Sequence, residues 1–136
     1  MFLGEPIFLG NNNKEQFLKI VEILGPPSQS DYKSMGYSYK INMPEFQPKG
    51  LRSIFGDTVD PQMLDLIQKM LTYNREDRIQ PFEALTHPYF DELRTGKVMI
   101  NNRLVVDLFD FKEEEIGLHT HLLDILVPGW YKRQKN

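Results

Sequence analysis

The chain has 136 residues and a mass of 16.0 kDa, 40% hydrophobic and 26% charged, which is the size and balance of one soluble domain or a piece of a larger protein. It contains no Cys, which excludes a disulfide framework and thiolate metal sites, and its net charge of −3 with pI near 5.6 argues against nucleic acid, which is bound chiefly by clustered Lys and Arg. No apolar run approaches the roughly 20 residues of a membrane-spanning helix, and residues 1–4 lack a signal peptide's charged flank and apolar core, so no membrane partner and a cytoplasmic or nuclear location are expected.

In chain order, residues 1–10 place two glycines around an apolar stretch interrupted by Glu5-Pro6, the pattern of an extended connector. So apolar a start looks like chain cut out of a core, with residues 1–3 as the frayed end of an earlier helix. Asn11 to Asn13 then supply a helix cap, because the Asn side-chain oxygen accepts an orphan N–H of the first turn. Phe17, Ile20, Val21 and Leu24 fall at helical spacing, which predicts a helix over 14–24 ended by Gly25-Pro26-Pro27. Leu18 and Ile23 widen its apolar surface beyond one face. Ser28 with Asp31 three residues on forms a capping-box pattern and predicts a short helix over 28–35, with Gly36 as its C-terminal cap. Residues 37–48 alternate apolar and polar but carry Pro44 and Pro48, so they read as a long ordered loop laid over the first helix rather than as a central strand.

Residues 51–55 suggest one helical turn. Asp60-Pro61 then opens a helix over 61–72, Asp as cap and Pro at the first helical position, with Met63, Leu64, Ile67, Met70 and Leu71 as its apolar stripe. The stretch 71–90 follows: a charged turn, a helix over 81–86 opened by Pro81, and a stop at His87-Pro88. In that turn Arg78 stands between Asp77 and Ile79. A guanidinium held against apolar neighbours needs a fixed partner, since Arg cannot lose its proton; a solvated turn charge is the plainer reading. Residues 91–96 look like a last helical turn closed by glycine. The tail carries scattered apolar anchors, a helix start at Glu113-Glu114-Glu115, where negative charge meets the positive dipole end, and a final short helix around Leu118 to Leu126.

Little in the chain points to catalysis. His119 and His121, two apart, point to different helix faces and lack a third ligand, so no metal site is expected, and His87 reads as a helix-end residue. There is no glycine-rich phosphate loop, no recognisable nucleophile turn, and no His-Arg-Asp or Asp-Phe-Gly. No cofactor is expected in this chain.

The order of its segments nevertheless resembles the C-terminal part of the large lobe of a glycogen synthase kinase 3-type Ser/Thr protein kinase, of the CMGC group. The residues that carry the resemblance are Gly4 to Phe8, Gln16-Phe17-Leu18, Ile23 to Pro27, Tyr39 to Pro44, Arg78 with Ala84 to Pro88, Phe90 to Arg94, Leu108 to Phe111 and Ile125 to Pro128. The resemblance implies a mostly α fold, the helical portion of a protein-kinase large lobe with an irregular C-terminal extension. Residues 1–95 would end the lobe, its helices at 14–24, 61–72 and 81–86 packing together, and residues 96–136 would be the extension wrapping them. It implies a parent enzyme that transfers the γ-phosphate of ATP, with Mg, to protein Ser or Thr. This segment would be non-catalytic, giving the lobe stability and a docking groove for a scaffold-protein helix formed by Phe17, Leu18, Tyr39, Ile41 and Met43. Two features depart from the family: Lys14 stands where the family is apolar, and the 39–44 loop is a residue shorter. Arg78 would pair with the Glu that closes the activation segment, in the remainder of the kinase chain. The rival reading is a free-standing helical binding module derived from such a lobe. If the segment stands alone, Phe2, Leu3, Ile7 and the 63–70 face are expected to be uncovered and to drive self-association.

Overall fold

The computed structural model describes residues 4–38, 47–95, 98–101, 103–104 and 107–132. The described chain divides into two compact units, Met1–Arg78 and Ile79–Asn136. The boundary between them falls at 78/79, and the 95/96 division implied by the resemblance lies inside the second unit. Architecture is mostly α.

The first unit carries α1 (Asn13–Leu24), α2 (Gln29–Ser34), α3 (Arg52–Phe55) and α4 (Pro61–Met70). The helix starts follow from the caps. Asn12 Oδ1 accepts from the Glu15 N–H at 2.9 Å, while the Glu15 carboxylate reaches back to the N–H of Asn11 at 3.0 Å. Ser28 and Asp31 form the reciprocal capping box, with the Asp31 N–H donating to Ser28 Oγ at 3.1 Å and the Ser28 N–H to Asp31 Oδ2 at 2.7 Å. Asp60 Oδ1 takes the Gln62 N–H at 2.8 Å, and Pro61 takes the first position of α4. Gly10 is required by space rather than by dihedral angle: a Cβ there would lie 2.4 Å from the backbone nitrogen of Gln16.

The core of this unit is aliphatic. Leu51, Val59 and Leu64 form its buried centre, and Ile23, Leu24, Phe55, Met63, Ile67 and Leu71 pack against it. The stripe of α4 is thus covered by the unit's own residues at Met63, Leu64 and Ile67, contrary to the expected bare 63–70 face. Met70, half exposed, is the stripe residue that stays outside. Ile7 is partly buried, and Phe2 and Leu3 lie outside the described residues.

The second unit is built from shorter pieces: α5 (Pro81–Leu85), a 3-10 turn (Pro88–Phe90), α6 (Asp91–Thr95), strands β1 (Met99–Ile100) and β2 (Arg103–Leu104), a 3-10 turn (Asp107–Phe109), α7 (Glu113–Ile116), a 3-10 turn (Thr120–Leu122), α8 (Leu123–Leu126) and α9 (Gly129–Lys132). β1 and β2 pair antiparallel, Met99 opposite Leu104 and Ile100 opposite Arg103, across a turn in which Asn101 has φ of 51°. Asn tolerates that left-handed conformation better than most residues, which explains the turn. This hairpin was not expected from the sequence. Buried here are Phe109, Ile116, Leu126 and Tyr131, with the Phe109 ring edge-on to Trp130 at 5.4 Å and tilted to Tyr131 at 5.6 Å.

Candidate docking and lobe-closing sites

A helix leaves its last four carbonyls without intrahelical donors, and three of those of α1 are answered locally. The Gly25 N–H donates to Val21 O, and the N–H groups of Lys49 and Gly50 donate to the carbonyls of Glu22 and Ile23, each at 2.9 Å. The far end of the 37–48 loop is therefore stitched to the C-terminus of α1. The same junction carries a charge cluster: Lys49 Nζ pairs with Glu22 Oε1, and Lys19 Nζ lies 3.6 Å from Glu22 Oε2. The Lys49 ammonium, by hydrogen bond and by charge, and then Lys19 hold the Glu22 carboxyl below the usual carboxylate range.

Of the five residues expected to line a docking groove, Phe17 and Leu18 sit half-buried on α1. Tyr39, Ile41 and Met43 lie outside the described residues.

Tyr73, which no sequence pattern marked, ties the end of α4 to the end of α1. Its hydroxyl donates to Gly25 O at 2.8 Å. Burial, with smaller contributions from Tyr32 and Asp31, pushes its pKa up to about 12. Tyr32, whose ring is fully buried in the same unit, is also raised by burial, and its hydroxyl has no hydrogen-bond partner among the described residues.

Arg78 ends this unit. Its Nε donates to Thr72 O at 2.9 Å, and Nη2 lies 3.5 Å from Tyr73 O. These are the carbonyls that follow α4, where positive charge meets the negative end of the helix dipole. Asp77, the nearest carboxylate in sequence, accepts from Asn74 Nδ2 at 2.5 Å. The Arg78 side chain is exposed, not enclosed by apolar neighbours.

Arg94 carries a largely buried guanidinium. Its side chain is 10% exposed, and Nη2 donates to Thr86 O at 3.1 Å, His87 O at 2.9 Å and Asp91 Oδ1 at 2.6 Å, while Nη1 donates to Leu85 O. One side chain thus satisfies three successive carbonyls at the end of α5, and the Trp130 indole N–H, 3.3 Å away, donates to the Arg94 carbonyl. His87 is buried at the same corner, where its Nδ1 accepts the Tyr89 N–H at 3.2 Å and so opens the 3-10 turn. Arg94 was legible only as the last residue of the Phe90 to Arg94 run. A cation six residues past a His-Pro helix stop is the local signal that marks it.

His119 stacks on Phe82, centroids 5.0 Å apart with the rings 17° from parallel. Among the described residues there is no group of three His, Cys, Asp or Glu placed to hold a metal ion, and no helix long and apolar enough to cross a membrane.

Two features of the chain invite comparison with known proteins: a short helix stopped at His-Pro with its end held by Arg94, and a longer amphipathic helix that ends in a charged turn. The chain is 34% identical over 138 residues to protein kinase gsk3 of Schizosaccharomyces pombe, an alignment that covers 95% of this chain and 36% of that protein. The chain is thus similar to part of that kinase and spans about a third of its length. No protein-family model matches the chain.

Proposed function

We propose that the chain is the closing segment of the large lobe of a Ser/Thr protein kinase that transfers the γ-phosphate of ATP, with Mg, to protein substrates. The observation that carries this reading is the similarity to gsk3 along 95% of the chain. The phosphate-covering loop, the metal-binding Asp and Asn and the base that phosphoryl transfer needs would be supplied by the remainder of the kinase chain. This segment's own role is non-catalytic: it stabilises the lobe and presents a groove of Phe17, Leu18, Tyr39, Ile41 and Met43 that accepts the apolar face of a scaffold-protein helix. Residues 96–136 serve as the extension that packs on the lobe. Arg78, an exposed guanidinium just after α4, meets the Glu that closes the activation segment. The location is cytoplasmic or nuclear.

The intact mass and upstream coding sequence of the natural polypeptide test this directly. The expected result is a preceding segment with His-Arg-Asp, Asp-Phe-Gly and Ala-Pro-Glu. A natural product that starts at Met1 would overturn the kinase reading and leave a helical binding module. For the groove, Phe17→Ala should weaken capture of an amphipathic scaffold helix by about tenfold, the scale of one buried aromatic anchor; unchanged capture would contradict it.

A further inference from the structure

The second unit contains an open cleft of about 380 Å³ lined by Phe82, Leu108, Asp110, Phe111 and Glu115, to which none of the kinase features assigns a role. Its walls are of two kinds. Phe82 and Phe111 are half-buried and stand 6.0 Å apart with their planes tilted by 52°, while the Asp110 and Glu115 carboxylates are exposed. His119 stacks against Phe82, which fixes that ring in place. Glu115 is fixed too, because one of its carboxylate oxygens accepts the Lys112 N–H at 2.8 Å to cap α7.

Two aromatic rings at an angle, with carboxylates beside them, suit one kind of ligand group. Ring faces carry negative quadrupole potential and attract a cation within about 6 Å of the centroid. A planar guanidinium gains from both walls, since it stacks on a ring while its N–H fork meets a carboxylate. The surrounding charge has the matching sign: Asp110, Glu113, Glu114 and Glu115 face a single Lys112 within six residues. An anionic stretch of that kind raises the local concentration of cationic groups. An aliphatic side chain would use the rings but strand the carboxylates' contribution, and an anion would be repelled.

We propose that this cleft receives an arginine side chain of a partner protein. The proposal is independent of the α1 groove, which lies in the other unit, and stands whether or not that groove binds a helix.

The test is an amide-resolved NMR titration of the full chain with N-acetyl-arginine amide, set beside N-acetyl-norleucine amide. The arginine probe should give saturable shifts confined to Phe82 and residues 108–115, at least about fivefold tighter than the norleucine probe, the sum expected of one exposed cation–π contact and one exposed ion pair. Raising NaCl to about 0.5 M, which shortens screening to a few ångström, should remove most of that difference without any mutation. The pair Asp110→Asn with Glu115→Gln keeps the α7 cap, since Gln also serves in a capping box, and should cut the arginine advantage to the about twofold that the rings alone supply. Equal affinity in the unmutated chain, an arginine response indifferent to salt and to both amides, or shifts centred elsewhere would overturn the proposal.

Discussion

The two compact units are stabilised by different means. Met1–Arg78 uses amphipathic helices of 12 and 10 residues whose stripes meet in an aliphatic centre of Leu51, Val59 and Leu64. Ile79–Asn136 uses helices of four or five residues, too short to be stable by propensity or to offer a full apolar stripe. Its order comes instead from a buried cation on helix-end carbonyls and from an aromatic group of Phe109, Trp130 and Tyr131. Short helices have a high ratio of unsatisfied ends to internal bonds, so end-satisfying side chains dominate in the second unit and non-directional burial in the first.

The largest expected effect follows from removing the cation. Arg94→Met keeps the apolar stem but leaves three carbonyls and Asp91 without their shared donor, and should cost about 3 kcal/mol of unfolding free energy, as for loss of several charge-assisted bonds at a mostly buried site. Arg94→Lys, a single point donor in place of a planar fork, should recover less than half of that. Denaturant unfolding of the three chains checks both, and a lysine variant as stable as the parent would break the distinction between the units. Next in size is Leu64→Ala, which deletes three carbons from the aliphatic centre and should cost about 2.5 kcal/mol.

Tyr73→Phe should cost about 1 kcal/mol at neutral pH, the scale of one hydrogen bond with its acceptor left behind. It also sharpens the comparison through pH. The Tyr73 pKa is raised in the fold to about 12, above the usual tyrosine value of 10.0, so the folded state favours the protonated phenol. That contribution is fully present below pH about 10 and is lost as pH rises from there through about 12. Denaturation midpoints taken across this window should fall for the parent and fall less for Tyr73→Phe. Tyr32, raised by burial as well, adds to the slope in the same direction.

Legibility in the sequence divides along the same line. α1, α2 and α4 were readable because caps and periodicity agree: Asn12, Ser28 with Asp31, and Asp60-Pro61 each mark a start, and the first and last lead into stripes long enough to define a period. Pro81 and His87-Pro88 likewise bounded α5. The β1 and β2 hairpin was missed because two-residue strands have no period to detect, and its one local signal is Asn101 at the turn. Tyr73 and Arg94 were missed as tertiary anchors because their partners are backbone carbonyls, which every residue carries and no pattern marks. Arg78 stands out in the sequence by its place between Asp77 and Ile79, whereas its bonds to the carbonyls of Thr72 and Tyr73 leave no trace there, because every residue carries a carbonyl. The groove residues were drawn from the family resemblance, and three of the five fall outside the described residues.

The central claim, that this chain closes the large lobe of a working protein kinase, is tested most directly by binding of a fluorescent ATP analogue to the full-length natural polypeptide in the presence of Mg. Saturable binding that unlabelled ATP displaces is the expected result. Absence of displaceable binding in a properly folded full-length protein would contradict it.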